Sequence, residues 1–137
     1  IYEIKIRGYV PILAHVERYK EVQENVNIIY DCIKTGAIIQ INSSSLIGKQ
    51  GKQFQKTCDL LISRNMVHLV ATDAHSDTRR RPLLRDAYEY VEKKYSKSMA
   101  ENLFINNAQC ILDNKEIIIE EPFEKSKVSL FSRIFRR

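Results

Sequence analysis

The stretch V-H-L-V-A-T-D-A-H, residues 67–75, decides how this chain folds. Val67–Ala71 is short and almost wholly apolar, as a strand covered on both faces is, and Thr72-Asp73-Ala74-His75 ends it with polar groups. Two earlier stretches have the same form. Val10–Ala14 runs into His15-Val16-Glu17-Arg18, and Ala37–Ile41 runs into the polar loop Asn42–Ser45. Between them, Val22, Val26, Ile29 and Ile33 recur at helical spacing, and Gly36 closes that helix. Phe54, Cys58, Leu61 and Ile62 mark a second amphipathic helix. Beyond Arg79-Arg80-Arg81-Pro82, the residues Leu84, Tyr88, Val91 and Tyr95 form a third stripe. Ser98 is placed to cap a fourth helix carrying Met99, Leu103 and Phe104. Strands of about five residues alternating with helices require parallel pairing, hence an α/β architecture. Three strands are too few to close a barrel. Ile1–Arg7 reads as the last turns of a helix stopped by Gly8, so the expectation is the C-terminal part of a longer protein.

Composition supports one packed domain. Of 137 residues 44% are hydrophobic and 28% charged, a balance that disordered chains do not have. No apolar run is long enough to span a bilayer, and Ile1–Arg7, with Glu3, Lys5 and Arg7, is no secretory signal. Cys32, Cys58 and Cys110 are odd in number and far apart, so reduced thiols and a cytoplasmic location are expected. The net charge of +5 is local. Lys125, Lys127, Arg133, Arg136 and Arg137 lie in the last 13 residues, which hold no acid; the preceding 124 balance 17 basic against 17 acidic side chains. A neutral body argues against nucleic-acid binding.

In parallel α/β folds, functional groups gather where strands end at their carboxyl side. His15–Arg18, Gln40–Ser45 and Asp73–His75 all fall at such ends and face one side of the sheet. Asp73 and His75, two apart, can point into one mouth. A carboxylate with an imidazole suits zinc, manganese or iron, and His15 can complete a three-residue cluster. The plainer alternative makes Asp73 a turn cap and His15 a bonded core histidine. Arg18 and Arg80 beside such a cluster would supply the paired charge-assisted hydrogen bonds that a phosphate needs. His68, inside a strand, reads as structural, and Tyr19 as a wall that could pack over a flat substrate. Cys58 and Arg64 show a Cys-x5-Arg spacing, but the intervening D-L-L-I-S has no glycine to wrap a phosphate and sits on a helical stripe. That spacing is a coincidence. No glycine-rich phosphate loop and no Gly-x-Ser-x-Gly elbow occurs, and no base is evident beside Ser43–Ser45.

The stretch from Gly8 to Tyr19, G-Y-V-P-I-L-A-H-V-E-R-Y, resembles a segment of the bacterial PHP-domain protein-tyrosine phosphatases of capsular and exopolysaccharide synthesis operons. Ala37–Ser43, with Gln40, Asn42 and Ser43, is similar to that family's next strand end, and Val67–His75 to its final metal-binding strand. Asn102–Leu112 resembles its closing helix, with Ala108 where proline is usual. The resemblance, over about Gly8–Leu112, implies the C-terminal part of a distorted seven-stranded PHP-type β/α barrel with a manganese cluster at its mouth. By motif it assigns His15, Asp73 and His75 as metal ligands, with Arg18 and Arg80 as the phosphate-binding and catalytic arginines. The implied reaction is hydrolysis of phosphotyrosine in the tail of a bacterial tyrosine kinase. The metals and both arginines would hold the developing charge.

The family's His-x-His pair, a further His and a bridging Glu have no counterpart in these residues. This piece alone is therefore expected to be weakly metallated and inactive. The competing expectations are another PHP-type phosphoesterase acting on a small phosphomonoester, or a non-catalytic remnant serving as a binding module. Residues 1–124 are read as the barrel portion and 125–137 as a basic tail. In that tail Val128, Leu130, Phe131, Ile134 and Phe135 interleave with arginines, a pattern suited to an anionic membrane surface or to a solubilising end.

Overall fold

A computed structural model describes residues 1–75 and 83–123. A short N-terminal helix, α1 (Tyr2–Ile6), precedes strand β1 (Ile12–Leu13), a 3-10 turn (Val16–Arg18) and helices α2 (Lys20–Glu24) and α3 (Asn27–Lys34). Strand β2 (Ile38–Asn42) runs directly into α4 (Ser43–Leu46), followed by α5 (Lys52–Ile62) and strand β3 (Leu69–Ala71). Helices α6 (Leu84–Lys94) and α7 (Lys97–Glu101) lead through a π-helical segment (Asn102–Asn106) into α8 (Asn107–Leu112). The fold is mixed α/β, as expected.

The strands form one parallel sheet in the order β1-β2-β3. Ile12 pairs with Ile38 and Leu13 with Ile39; on the other side Gln40, Ile41 and Asn42 pair with Leu69, Val70 and Ala71. This register brings the carboxyl ends of all three strands to one edge. All five residues of β2 are buried, which is the double coverage its apolar reading required. Ile39 and Ile41 join Leu61 and Ile62 of α5, Ile29 and Ile33 of α3, and Val91 of α6 in the core. Gly36 has φ +89°, a left-handed conformation that glycine adopts without strain, and so ends α3 where the sequence places the stop.

Four local expectations need correction. The Val22–Ile33 stripe is two helices, because Asn25 turns extended (φ −148°) and its Oδ1 accepts the Asn27 N–H at 3.1 Å. β1 is shorter than Val10–Ala14 and is not covered on both faces, since Val10 and Ile12 are exposed at the sheet edge. Ser43–Leu46 is a helical turn, with Ser43 and Ser45 buried. The cap of α7 is Ser96, whose Oγ accepts the Met99 N–H at 3.1 Å; Ser98 lies inside the helix.

His68 is the core residue its position implies. Its Nδ1 accepts the Ile39 N–H at 2.9 Å, so the neutral ring carries its proton on Nε2, a buried atom without a partner. Burial pushes its pKa from the usual 6.5 down to about 4. Between those values the unfolded chain holds a proton that the folded chain refuses. The contribution of His68 to stability should therefore be flat above about pH 7 and fall as pH drops through that window, by up to roughly 3 kcal/mol. Thermal midpoints measured from pH 7.5 to pH 4.5 on the intact protein check this. His68→Gln, which keeps an acceptor for Ile39, should show the shallower decline.

Candidate active site

Each strand end contributes one piece of a small polar mouth. Beyond β1 the chain turns left-handed at His15 (φ 45°) and enters the 3-10 turn that carries Glu17 and Arg18. Beyond β3 it turns left-handed again at Asp73 (φ 49°). Among the described residues, the other non-glycine residues with positive φ are Asn65 and Asn114, which follow the ends of α5 and α8 where asparagine is ordinary. His15 and Asp73 instead hold a costly conformation just past the ends of the two strands that flank β2, the pattern in which backbone strain points to function.

Asp73 is the junction. Its Oδ2 accepts from Arg18 Nη1 at 3.4 Å and from Asn42 Nδ2 at 3.2 Å, and its Oδ1 lies 3.8 Å from His75 Nδ1. His75 Nδ1 also meets the Asp73 carbonyl at 2.7 Å. A carbonyl can only accept, so Nδ1 carries the proton and the lone pair of the neutral ring sits on Nε2. That tautomer is the one in which a backbone carbonyl orients a ligating imidazole. His15 enters through its backbone, its N–H donating to Gln40 Oε1 at 3.3 Å, while Tyr19, half-exposed, tilts over its ring at 5.9 Å between centroids. The structure thus brings Arg18, Asp73 and His75 together directly and ties in His15 through Gln40. Among the described residues no group of three or more His, Cys, Asp and Glu side chains is placed to hold a metal ion. The carboxylate and oriented imidazole fit a divalent cation as part of a coordination set, not as the whole of one. Arg80 and residues 125–137 lie outside the described residues.

The sequence reading missed Glu17. Nothing in the H-V-E-R-Y segment singles it out, yet the 3-10 turn buries it completely. Its Oε1 accepts the backbone N–H of Asn42 at 3.3 Å. Burial raises its pKa, against the opposing pull of Ser45, the backbone N–H groups of Glu17 and Asn42, and Arg18. Glu17 Oε2 and Ser45 Oγ make no hydrogen bond of good geometry, though they are near enough for the hydroxyl to favour the carboxylate. Ser45 therefore has an acid beside it, contrary to expectation. Cys58 is fully buried on α5, and burial with Glu17 and Asp59 nearby pushes its thiol pKa far up. Arg64 donates to Asn27 Oδ1 at 2.9 Å. A thiolate phosphatase site is absent there.

Comparison with known proteins identifies the family and the fold. Residues 1–113 match the family model described as "Capsular polysaccharide synthesis, CpsB/CapC". The chain is 34% identical over 130 residues to the tyrosine-protein phosphatase YwqE of Bacillus subtilis, covering 95% of this chain and 51% of that protein. It is 33% identical to the putative tyrosine-protein phosphatase CapC of Staphylococcus aureus (92% and 49% covered). It is 36% identical to the tyrosine-protein phosphatase CpsB of Streptococcus agalactiae (80% and 47%). A solved structure from the work described as "Crystal structures of YwqE from Bacillus subtilis and CpsB from Streptococcus pneumoniae, unique metal-dependent tyrosine phosphatases" superposes with a TM-score of 0.83 at 34% identity. That match covers 88% of this chain and 49% of the other. The chain spans about half the length of these relatives. With the family model matched over residues 1–113 and the fold shared, the chain belongs to the CpsB/CapC family of capsular polysaccharide synthesis.

Proposed function

We propose that the protein to which this chain belongs is a metal-dependent protein-tyrosine phosphatase acting on the phosphotyrosine tail of a bacterial tyrosine kinase that regulates capsule or exopolysaccharide synthesis. One observation carries the reading: the Arg18 guanidinium lies on the Asp73 carboxylate, beside His75, at the shared carboxyl edge of three parallel strands. A phosphate there would meet a fork of donors from Arg18 next to an oxygen–imidazole pair that suits manganese. The kinship with metal-dependent tyrosine phosphatases supports the same chemistry. His15, Asp73 and His75 are the proposed ligands, Arg18 and Arg80 the proposed phosphate-binding and catalytic arginines. In this reading residues 1–124 are part of a distorted PHP-type barrel, 125–137 a basic tail, and the enzyme works in the cytoplasm.

A bound divalent cation would supply an activated water and neutralise phosphoryl charge. The chain's own residues orient and compensate. Arg18 pairs with equatorial phosphoryl oxygens as the P–O bond to the tyrosyl oxygen breaks, holding the charge that builds up there. Tyr19, half-exposed beside His15, offers a flat wall to an aromatic ring. That wall favours phosphotyrosine over a small aliphatic phosphomonoester. The test is hydrolysis by the intact, manganese-loaded protein of a phosphotyrosine peptide against a phosphorylated amino alcohol. The expected result is a preference of at least about tenfold in kcat/KM for the peptide, lost after chelation and restored by manganese. Equal or reversed preference would assign the small-molecule reaction instead. No hydrolysis of either would leave a binding module.

A further inference from the structure

Strand β2 ends Gln40-Ile41-Asn42, and its two-residue period puts both carboxamides on one face while Ile39 and Ile41 fill the core. Gln40 and Asn42 are both buried, Asn42 to 1% exposure. Burying two amides is costly unless their donors and acceptors are matched, so where their bonds go is informative. Gln40 Oε1 accepts the His15 N–H at 3.3 Å. Gln40 Nε2 donates to Asn42 Oδ1 at 3.0 Å and to the Ile41 carbonyl at 2.6 Å. Asn42 Nδ2 donates to Asp73 Oδ2 at 3.2 Å. The backbone of Asn42 is itself held from below by Glu17 Oε1.

The polarity of this chain is fixed at both ends. A backbone N–H only donates and a carboxylate only accepts, so neither amide can flip without breaking a bond at each end. The relay spans β2 to join His15 to Asp73, the two residues that hold left-handed backbone past the ends of the strands flanking it. It also sets the rotation of the carboxylate: Oδ2 is engaged by Asn42 and Arg18, which turns Oδ1 toward His75.

We propose that Gln40 and Asn42 act as one positioning unit, an amide relay that fixes the loop bearing His15 and the carboxylate of Asp73 at the separation and orientation needed to share a divalent cation and a phosphate. The proposal rests on the functional reading above. It assigns the two residues no contact with substrate, and Glu17 the part of anchoring the relay through the Asn42 backbone.

The test is a double-mutant cycle on the intact protein with Gln40→Leu, Asn42→Leu and both together. It reads manganese affinity from the free-ion paramagnetic resonance signal, kcat and KM for a phosphotyrosine peptide, and the thermal midpoint of the metal-free protein. Each single change should weaken manganese binding about 10- to 100-fold and lower kcat more than it raises KM. The double variant should lose no more than the worse single, because a relay broken once is already broken. The metal-free midpoints should stay within a few degrees of the parent. Should Asn42→Leu not fold, Asn42→Ser, which also gives up the bond to Asp73, carries the same comparison. A parent that binds manganese and cleaves phosphotyrosine alongside variants of unchanged affinity would overturn the relay. So would losses that multiply in the double variant, or that track the thermal midpoint. A parent that does neither would overturn the functional reading, and the relay with it.

Discussion

Arg18→Ala in the intact protein should lower kcat/KM for a phosphotyrosine peptide by about 10²–10³ while leaving the thermal midpoint within a degree or two. The first figure is the scale on which one preorganised donor to a developing oxyanion acts. The second follows from exposure. The Arg18 and Asp73 side chains are 29% and 26% exposed, and partly solvated pairs of this kind add little to folding. Arg18 is set by local structure: its N–H donates to the His15 carbonyl at 3.0 Å, closing the 3-10 turn, and its own carbonyl accepts from Gln23 Nε2 at 3.2 Å. The guanidinium is therefore presented on a fixed backbone. Arg18→Lys should recover only part of the loss, because an ammonium keeps the charge without the two-pronged geometry. Steady-state kinetics on the parent and both variants is the measurement. A variant with alanine that keeps a third or more of parental kcat/KM would remove Arg18 from the reaction.

Asp73→Asn should cost about 10³ in kcat, and the loss should be partly reversible with metal. Asparagine keeps the size of the side chain and an oxygen able to accept from Asn42 Nδ2, so the loop should keep its shape. What disappears is the anionic oxygen that a hard cation needs. By mass action, raising manganese a hundredfold should restore a measurable share of the activity. Arg18→Ala should show no such recovery. The contrast separates a ligand from a phosphate-binding group. A manganese titration of kcat for both variants decides it, and identical metal dependence in the two would merge the roles assigned to them.

The parts of this architecture that were legible in the sequence are those set by local pattern. The apolar stripes of α3, α5 and α6 and the uninterrupted apolar run of β2 each follow from which neighbours must be buried together. The convergence of His15–Arg18, Gln40–Ser45 and Asp73–His75 followed from parallel pairing alone, and the register of β1, β2 and β3 bears it out. Contacts between distant residues were not legible. Gln40 and Asn42 reach partners 25 and 31 residues away, so their role needs the sheet to be assembled first. Glu17 carried no sign of burial, since that depends on a single 3-10 turn tucking it under the end of β2. β1 misled in the opposite sense. Its apolar residues promised cover on both faces, yet Ile12 and Val10 lie exposed, because periodicity reports what a strand can bury and not what packs on it. Both Ser96 and Ser98 have cap chemistry, and only the extended backbone of Ser96 (φ −164°, ψ 160°) selects between them.

The most direct test of the central claim is anomalous scattering at the manganese edge from crystals of the intact protein grown with manganese and inorganic phosphate. The account predicts anomalous density at about 2.1–2.3 Å from the Asp73 carboxylate and His75 Nε2, with phosphate on Arg18 beside it. Manganese bound elsewhere, with phosphate remote from Arg18, would contradict it.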